Sequence, residues 1–467
     1  MPNKDFSHIV LLFVIVILYG FSPISVFSAE EDAGILSYAL LPGIDLIFTA
    51  TLDTIIEGPY SEQSTRMIES RIIRAEEGAG GEIALVGISS LHRRILEGQE
   101  VKIPFENREA YRFRMNRFGS FSGYDSAGPE LGTGWSPMIH FPPLANESIP
   151  LDTRMETKLP VQGGFPADAE GRYSLLIRHI EPQNQILLIG AGLSQPVTIP
   201  GDPPILVRYQ EYEIRFDLNK RLPVFSRTST QSSMDTPNGT FQIETVAESQ
   251  LNQANIFPSH HLPVIRGELT DFFHYKIQLQ LTNFADSYPV LQKLLTFADH
   301  SPVPFLRETA KDVVDKYRFN MQLEKNRDQA MVSNQAPDFS GESLQGQLIR
   351  FPPEKRKPTV MLFWALWWEP AERELWHIET LYRDYRDKAQ IIGINLDSAR
   401  GIARRYIEQS GIQTPILWDE GYPQSGIAFR YGVHTVPTVI VMDKKGKMAA
   451  IDVRGRQLTE LLDKLAR

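Results

Sequence analysis

Thr359-Val360-Met361-Leu362-Phe363-Trp364-Ala365-Leu366-Trp367-Trp368-Glu369-Pro370-Ala371 is the stretch that decides the fold of the C-terminal part of this chain. Its first six residues are all apolar or β-branched, the pattern of a central strand buried on both faces. The period then changes to that of a helix over Ala371–Arg386. Gln390–Asn395 reads as a second buried strand, and Arg400–Gln409 as a second helix. Thr438–Met442 and Ala449–Val453 flank the tight turn Asp443–Lys447, which makes them a hairpin. Gln457–Leu465 closes with a helix. The order β-α-β-α-β-β-α predicts a small mixed sheet with helices on both faces.

Upstream, residues 33–285 read as β-rich. Ile35–Leu41, Leu46–Leu52, Glu82–Ile88, Val101–Phe105, Ser174–Ile180 and Gln185–Gly190 are short apolar runs separated by Gly and Pro clusters. Tyr212–Asp217, Leu222–Thr230 and Thr240–Ala247 follow, with Asn238-Gly239 as a hairpin turn between the last two. Tyr275–Leu281 alternates as another strand would. Phe118–Pro150, rich in Gly, Ser and Pro, predicts long loops with little regular structure. Residues 286–330 form a helical connector. Pro289–Phe297 is one short helix, and Leu306, Ala310, Val313, Val314, Tyr317 and Met321 share one face of another. Glu324–Gln335 is polar and reads as a linker into residues 331–467.

The N-terminus carries its own message. Lys4 precedes Ile9–Ala29, which holds no charge, and small residues at Ser25, Ser28 and Ala29 lead into Glu30-Glu31-Asp32. That is the layout of a secretory signal peptide over residues 1–29. Roughly 20 uncharged residues can also span a bilayer, so residues 9–29 as an uncleaved anchor stay open. Both outcomes place the body of the protein outside the cytoplasm, in a periplasmic or other extracytoplasmic space. An uncleaved segment would be its one membrane attachment.

The chain has 467 residues, enough for two or three domains. It carries 48 basic and 57 acidic residues, a formal charge of -9. Residues 331–467 hold 19 basic and 17 acidic residues, net +2, and the remainder 29 and 40, net -11. An acidic chain is a poor partner for nucleic acid, whose phosphates need a basic surface. There is no cysteine at all. Disulfides, thiolate nucleophiles, Cys-ligated zinc and cysteine-held iron–sulfur clusters are thereby excluded. His260, His261, Glu268, Asp271 and His274 match no standard metal-ligand spacing, and no phosphate-binding loop or hydrolase elbow is present. No cofactor and no metal is expected.

Several short motifs, in order, give residues 331–467 a family. Ala336-Pro337-Asp338-Phe339, the strand Phe363-Trp364-Ala365-Leu366-Trp367, Val436-Pro437-Thr438 and Asp443-Lys444-Lys445-Gly446 resemble exported thioredoxin-like proteins of the TlpA/ResA type, in the AhpC/TSA-redoxin superfamily. The fold class implied is an α+β multidomain chain: a β-rich N-terminal domain, a helical connector and a C-terminal thioredoxin-like α/β fold. The resemblance also implies a cis-proline at Pro437.

The departure from the family matters more. Where its Cys-x-x-Cys pair would stand, this chain has Trp368-Glu369-Pro370-Ala371. Glu-Pro remains inside and Glu374 falls where a related variant carries a glutamate, but both sulfur positions are gone. Thiol–disulfide exchange is attack by a thiolate on a disulfide sulfur. An indole offers only an N–H donor, and alanine offers nothing. Trp368 and Ala371 are thus degenerate positions, and no catalytic residue is expected.

What the resemblance leaves is a binding groove. In the family, backbone beside the cis-proline pairs with an extended substrate segment, a form of strand addition. Trp367, Trp368, Glu369, Pro370, Thr435, Val436 and Pro437, with His434 on the same edge, are the candidate peptide-binding residues. Trp364 is expected to be core, and Trp376 to pack more than to contact a partner. The function expected is a non-catalytic protein- or peptide-binding or scaffolding module at the cell envelope. Two alternatives remain: an envelope ligand carrier or enzyme acting through the β-rich domain, and a protein classed as a thiol-disulfide oxidoreductase by family alone.

Overall fold

A computed structural model of the chain describes residues 35–467 except 59–61, 76–77, 79–80, 97–98, 102–107, 125–135, 150, 162–168, 184, 201–202, 237–238, 283–285, 333, 355, 367–368, 398–399, 421, 423–425 and 434; for a few neighbours of these it describes the backbone alone. Residues 1–29, read above as a signal peptide or an anchor, and Asn238 therefore lie outside the described residues.

Thirteen strands between Ile44 and Ile256 form one antiparallel sheet. They are β1 (Ile44–Glu57), β2 (Glu62–Ile73), β3 (Ile83–Leu96), β4 (Gln99–Val101), β5 (Arg108–Met115), β6 (Phe121–Tyr124), β7 (Arg154–Pro160), β8 (Glu170–Glu181), β9 (Ile186–Leu193), β10 (Val197–Ile199), β11 (Ile205–Asp217), β12 (Leu222–Thr236) and β13 (Gly239–Ile256). The order across the sheet is β6-β5-β3-β2-β1-β13-β12-β11-β9-β8-β7, with β4 on β3 and β10 on β11. The hairpin read at Asn238-Gly239 is there in register, with Thr236 opposite Gly239.

Alternation splits the side chains between two cores. Ile72 and Leu85 face one, Ile73 and Val86 the other. The first core draws residues from both halves of the sheet, such as Phe113, Phe48, Ile214 and Tyr173, around Phe141 and Leu144. The sheet therefore curls around the segment 137–149. The expected lack of regular structure holds for this segment. Little of it is regular beyond a short 3-10 turn at Pro137–Ile139, but Met138 through Ala145 are buried. A buried loop needs partners for its carbonyls, and hydroxyls supply them. Tyr212 donates to the Pro143 carbonyl at 2.9 Å, Tyr38 to that of Pro142, and Ser226 to that of Ile139. Ile35–Leu41 is likewise not a strand; it lays Leu36, Tyr38 and Leu40 into the same core.

His140 sits in this interior, stacked on Phe48 at 4.4 Å with its Nδ1 2.7 Å from the Ser249 hydroxyl. Burial pushes the imidazole down to about 3. In the unfolded chain it would titrate near 6.5. Below that pH the unfolded chain binds a proton that the folded one refuses. The contribution is whole above pH 6.5 and is lost as pH falls towards 3, by about 1.4 kcal/mol per pH unit. Urea unfolding between pH 7 and 4.5 should therefore show a shallower loss of stability in His140→Gln than in the wild type.

The second core is covered by helices α1 (Leu262–Leu281), α2 (Tyr288–His300) and α3 (Pro304–Gln329). Two expectations are corrected here. Tyr275–Leu281 is helical. Its alternation is accidental, for Leu269, Phe272, Phe273 and Leu279 are the buried set at helical spacing, while Leu281 is 83% exposed. The helical run thus starts inside the stretch read as β-rich. Glu324 to Gln329 is no linker but the last turns of α3. The face read on α3 is present: Leu306, Ala310 and Val314 are buried, with Val313, Tyr317 and Met321 beside them. Among the described residues no helix is long and apolar enough to cross a membrane.

The end of α3 meets the C-terminal unit. Phe319 stacks on Phe429 at 5.1 Å, and Asn326 Nδ2 donates to the Phe429 carbonyl at 2.9 Å. Gly432, at φ +64°, lets the backbones approach; a Cβ there would lie 2.4 Å from Arg327 N.

The unit itself opens with the hairpin β14 (Phe339–Glu342) and β15 (Leu348–Phe351). Then come β16 (Thr359–Trp364), α4 (Glu369–Tyr385), β17 (Gln390–Asn395), α5 (Arg400–Ser410), β18 (Ile416–Trp418), α6 (Ile427–Arg430), β19 (Thr438–Met442), β20 (Met448–Ile451) and α7 (Gly455–Ala466). The sheet order is β18-β17-β16-β19-β20. β16 runs parallel to β17 and antiparallel to β19, and every residue of it is buried. This is the mixed sheet expected from the sequence, which overlooked the opening hairpin and β18.

Candidate functional site

The site lies where β16 hands over to α4, beside the loop that enters β19. Ala365 is buried, and the Leu366 amide donates to both oxygens of Asp397 at 3.0 and 3.2 Å. Asp397 is itself held. Asn395 Nδ2 donates to it at 2.6 Å, and the Trp418 indole donates to its backbone carbonyl at 2.7 Å. A buried carboxylate thus fixes the backbone one residue before the tryptophan pair. Sequence reading missed this support, although Asn395-Leu396-Asp397 at a strand end was its visible trace.

Trp367, Trp368 and His434 lie outside the described residues. Glu369 and Pro370 open α4. Ala371 is fully buried in a cluster with Trp364, Leu375 and Ile378. The second sulfur position is therefore a filled core position. Trp364 is core, as expected.

Opposite, the Val436–Pro437 peptide is cis. Phe363 pairs with Thr438, which sets this loop beside the end of β16, and Val436 packs against the cluster that holds Ala371. Two side chains brace the loop. The Thr438 hydroxyl donates to the Thr435 carbonyl at 2.7 Å, and Arg454 Nη2 donates to the Pro437 carbonyl at 2.6 Å. Thr435 is exposed, and Val436 and Pro437 are half-buried. The Val436 amide and carbonyl form no hydrogen bond with any described residue. The fold thus brings Ala371, Thr435, Val436 and Pro437 to one place, with the Val436 amide and carbonyl unpaired among the described residues. Glu374 is buried on α4 with its Oε2 3.5 Å from His377 Nδ1. Trp376, expected to pack, is 41% exposed on the same helix.

Nothing here resembles a metal centre. Among the described residues no group of three or more His, Asp or Glu could hold an ion. His260 and His261 are exposed and lie edge to face with each other at 4.2 Å.

Residues 332–451 match the AhpC/TSA family. The thioredoxin-like protein YneN of Bacillus subtilis is 32% identical over 134 residues, which cover 28% of this chain and 76% of that protein. This chain belongs to the AhpC/TSA family. The thiol-disulfide oxidoreductase ResA of Bacillus anthracis is 29% identical over 139 residues, 30% of this chain and 78% of the relative. A solved thiol-disulfide oxidoreductase from Bacteroides fragilis is 26% identical, covering 28% of this chain and 99% of that one, with a TM-score of 0.26. The likeness to the AhpC/TSA family is confined to the C-terminal unit. The ResA relative carries an oxidoreductase name, and this member has no cysteine anywhere.

Proposed function

We propose that this protein is an exported, redox-inactive member of its family that binds an extended polypeptide at the cell envelope and does no chemistry on it. One observation carries the reading: a complete thioredoxin-like unit, with its cis-proline loop in place, in a chain of 467 residues without a single sulfhydryl. Thiolate attack is the whole of the family's exchange chemistry, and no other residue can substitute. The open amide and carbonyl of Val436 suit strand addition. Trp367 and Trp368 would supply aromatic anchors and Glu369 and Pro370 the far rim, with Thr435 and Pro437 flanking the edge. Aromatic residues at such a site concentrate binding energy. Export rests on the uncharged stretch Ile9–Ala29 and the acidic exit after it.

The alternative, a ligand carrier working through the β-sheet domain, is not favoured by the cavity among Leu36, Leu144, Ile177 and Ile189, whose volume of about 10 Å³ is the space of a single water.

The test places a photo-crosslinking amino acid at Thr435 in the full chain and illuminates cells that export it. Polypeptide adducts are expected, and Trp368→Ala should cut their yield about tenfold, the loss of one good aromatic anchor. No adduct, or a yield indifferent to Trp368, would count against the groove. Purified wild type should show no insulin-disulfide reduction above the dithiothreitol background.

A further inference from the structure

We infer that one end of the β-sheet domain, the corner built by Leu41–Gly43, the end of β13 and the start of α1, is a phospholipid-facing surface. This goes beyond the groove and does not depend on it.

The corner is one piece of structure. The Phe257 amide donates to the Gly43 carbonyl at 2.8 Å, and Ile44 pairs with Ile256. A Cβ on Gly43 would lie 3.1 Å from a Leu262 methyl. From this base three aliphatic side chains project into solvent: Leu41 at 47%, Ile256 at 58% and Val264 at 48% exposure. Pro258 and Pro263 are exposed between them. Grouped exposed apolar side chains of this kind mark a protein or membrane contact.

Charge favours the membrane. Residues 1–330 carry a net -11, yet neither 35–44 nor 46–52 adds an acid, and residues 252–267 hold none. That last stretch offers His260, His261 and Arg266 instead, all exposed. An apolar tip with no acid in residues 252–267, an exposed arginine and two exposed imidazoles suits an interfacial contact with lipid headgroups.

Chain length supplies the geometry. The uncharged run ends at Ala29, and the described chain starts at Ile35, itself exposed. Six steps of extended chain reach about 20 Å. Leu40 and Leu41 follow directly, and Arg74 donates to the Leu40 carbonyl, which ties the entering chain to this end of the sheet. A segment seated in a bilayer would hold the corner within a short leash of the headgroups. Tethering makes even a small apolar tip effective, because the second contact is intramolecular.

The lack of native cysteine gives a clean test. Ser259→Cys, at the corner, and Glu57→Cys, at the opposite end of β1, are each labelled in the full chain with an environment-sensitive fluorophore. The labelled chains are then reconstituted into phosphatidylethanolamine–phosphatidylglycerol vesicles. The label at position 259 should shift to the blue and be quenched several-fold by brominated lipid, while the label at 57 should do neither. Ile256→Asp with Val264→Asp should abolish the change at 259 with the chain still bound to vesicles. No change at 259, equal changes at both positions, or a shift that follows protein concentration without vesicles would overturn the inference. The last of these would assign the corner to a second copy of the chain.

Discussion

Trp368→Cys combined with Ala371→Cys should convert a silent protein into an insulin-disulfide reductase, at least about ten times above the wild-type background. The expectation follows from what is kept and what is lost. The strand, the Asp397 clasp on Leu366, the start of α4 at Glu369 and the cis Val436–Pro437 loop are all in place. A cysteine at the head of a helix has its thiol pKa lowered, so a thiolate is available near neutral pH. That thiolate attacks a disulfide sulfur of insulin and forms a mixed disulfide. The second thiol then attacks the first sulfur, releases reduced insulin and closes the internal disulfide, which dithiothreitol reopens. Single variants separate the roles. Trp368→Cys alone should trap mixed disulfides without turnover, because nothing resolves them. Ala371→Cys alone should stay unreactive towards thiol reagents, since Ala371 is fully buried. A double variant that folds like the wild type and remains inert would show that more than sulfur has been lost. Turnover by the wild type would remove the basis of the proposed function.

Glu379→Ala should be the most damaging single substitution away from the groove. Glu379 is 1% exposed on α4. Its Oε2 accepts from the Gln413 amide at 3.0 Å, the Thr414 amide at 2.8 Å and the Thr414 hydroxyl at 2.7 Å. Its Oε1 accepts from Arg383 Nε at 3.1 Å. One carboxylate therefore ties the helix to the turn that delivers β18. Truncation strands two amides and a hydroxyl, at about 3–5 kcal/mol, the scale for breaking one side of a buried charged network. Glu379→Gln keeps an acceptor and should cost on the order of 1–2 kcal/mol. Thermal unfolding followed by tryptophan fluorescence reads this directly, because five of the six tryptophans lie beyond residue 331. A midpoint lowered by about 10 °C or more is expected for the alanine variant. A shift of only a degree or two would mean that water replaces the carboxylate.

Legibility differed sharply between the two halves. In the C-terminal unit β16, β17 and β19 were readable to the residue, because doubly buried strands are continuous apolar runs whatever surrounds them. In the β-sheet domain individual strands were readable but their partners were not. β1 lies beside β13, some two hundred residues away in the chain, and nothing local encodes such a pairing. Tyr275–Leu281 failed for the opposite reason: local alternation was present and tertiary packing of Leu269, Phe272 and Phe273 overrode it. Pro142-Pro143 was readable as irregular chain, but its burial was not, because hydroxyls from distant parts of the chain, Tyr212 on β11 and Tyr38 before β1, satisfy its carbonyls in the interior.

The candidate site divides in the same way. The sequence alone determined what its chemistry lacks, because residue composition needs no coordinates: without cysteine there is no thiolate at any position, however the chain folds. It also marked Trp368, Ala371 and Pro437 through the order of short motifs. Only the tertiary structure decided that Ala371 is sealed in the core, that Asp397 holds the Leu366 amide and Arg454 the Pro437 carbonyl, and that the Val436 amide and carbonyl have no hydrogen-bond partner among the described residues. Those are contacts between residues far apart in the chain, and a hydrogen bond depends on where the backbone brings its partners rather than on which residues stand next to each other.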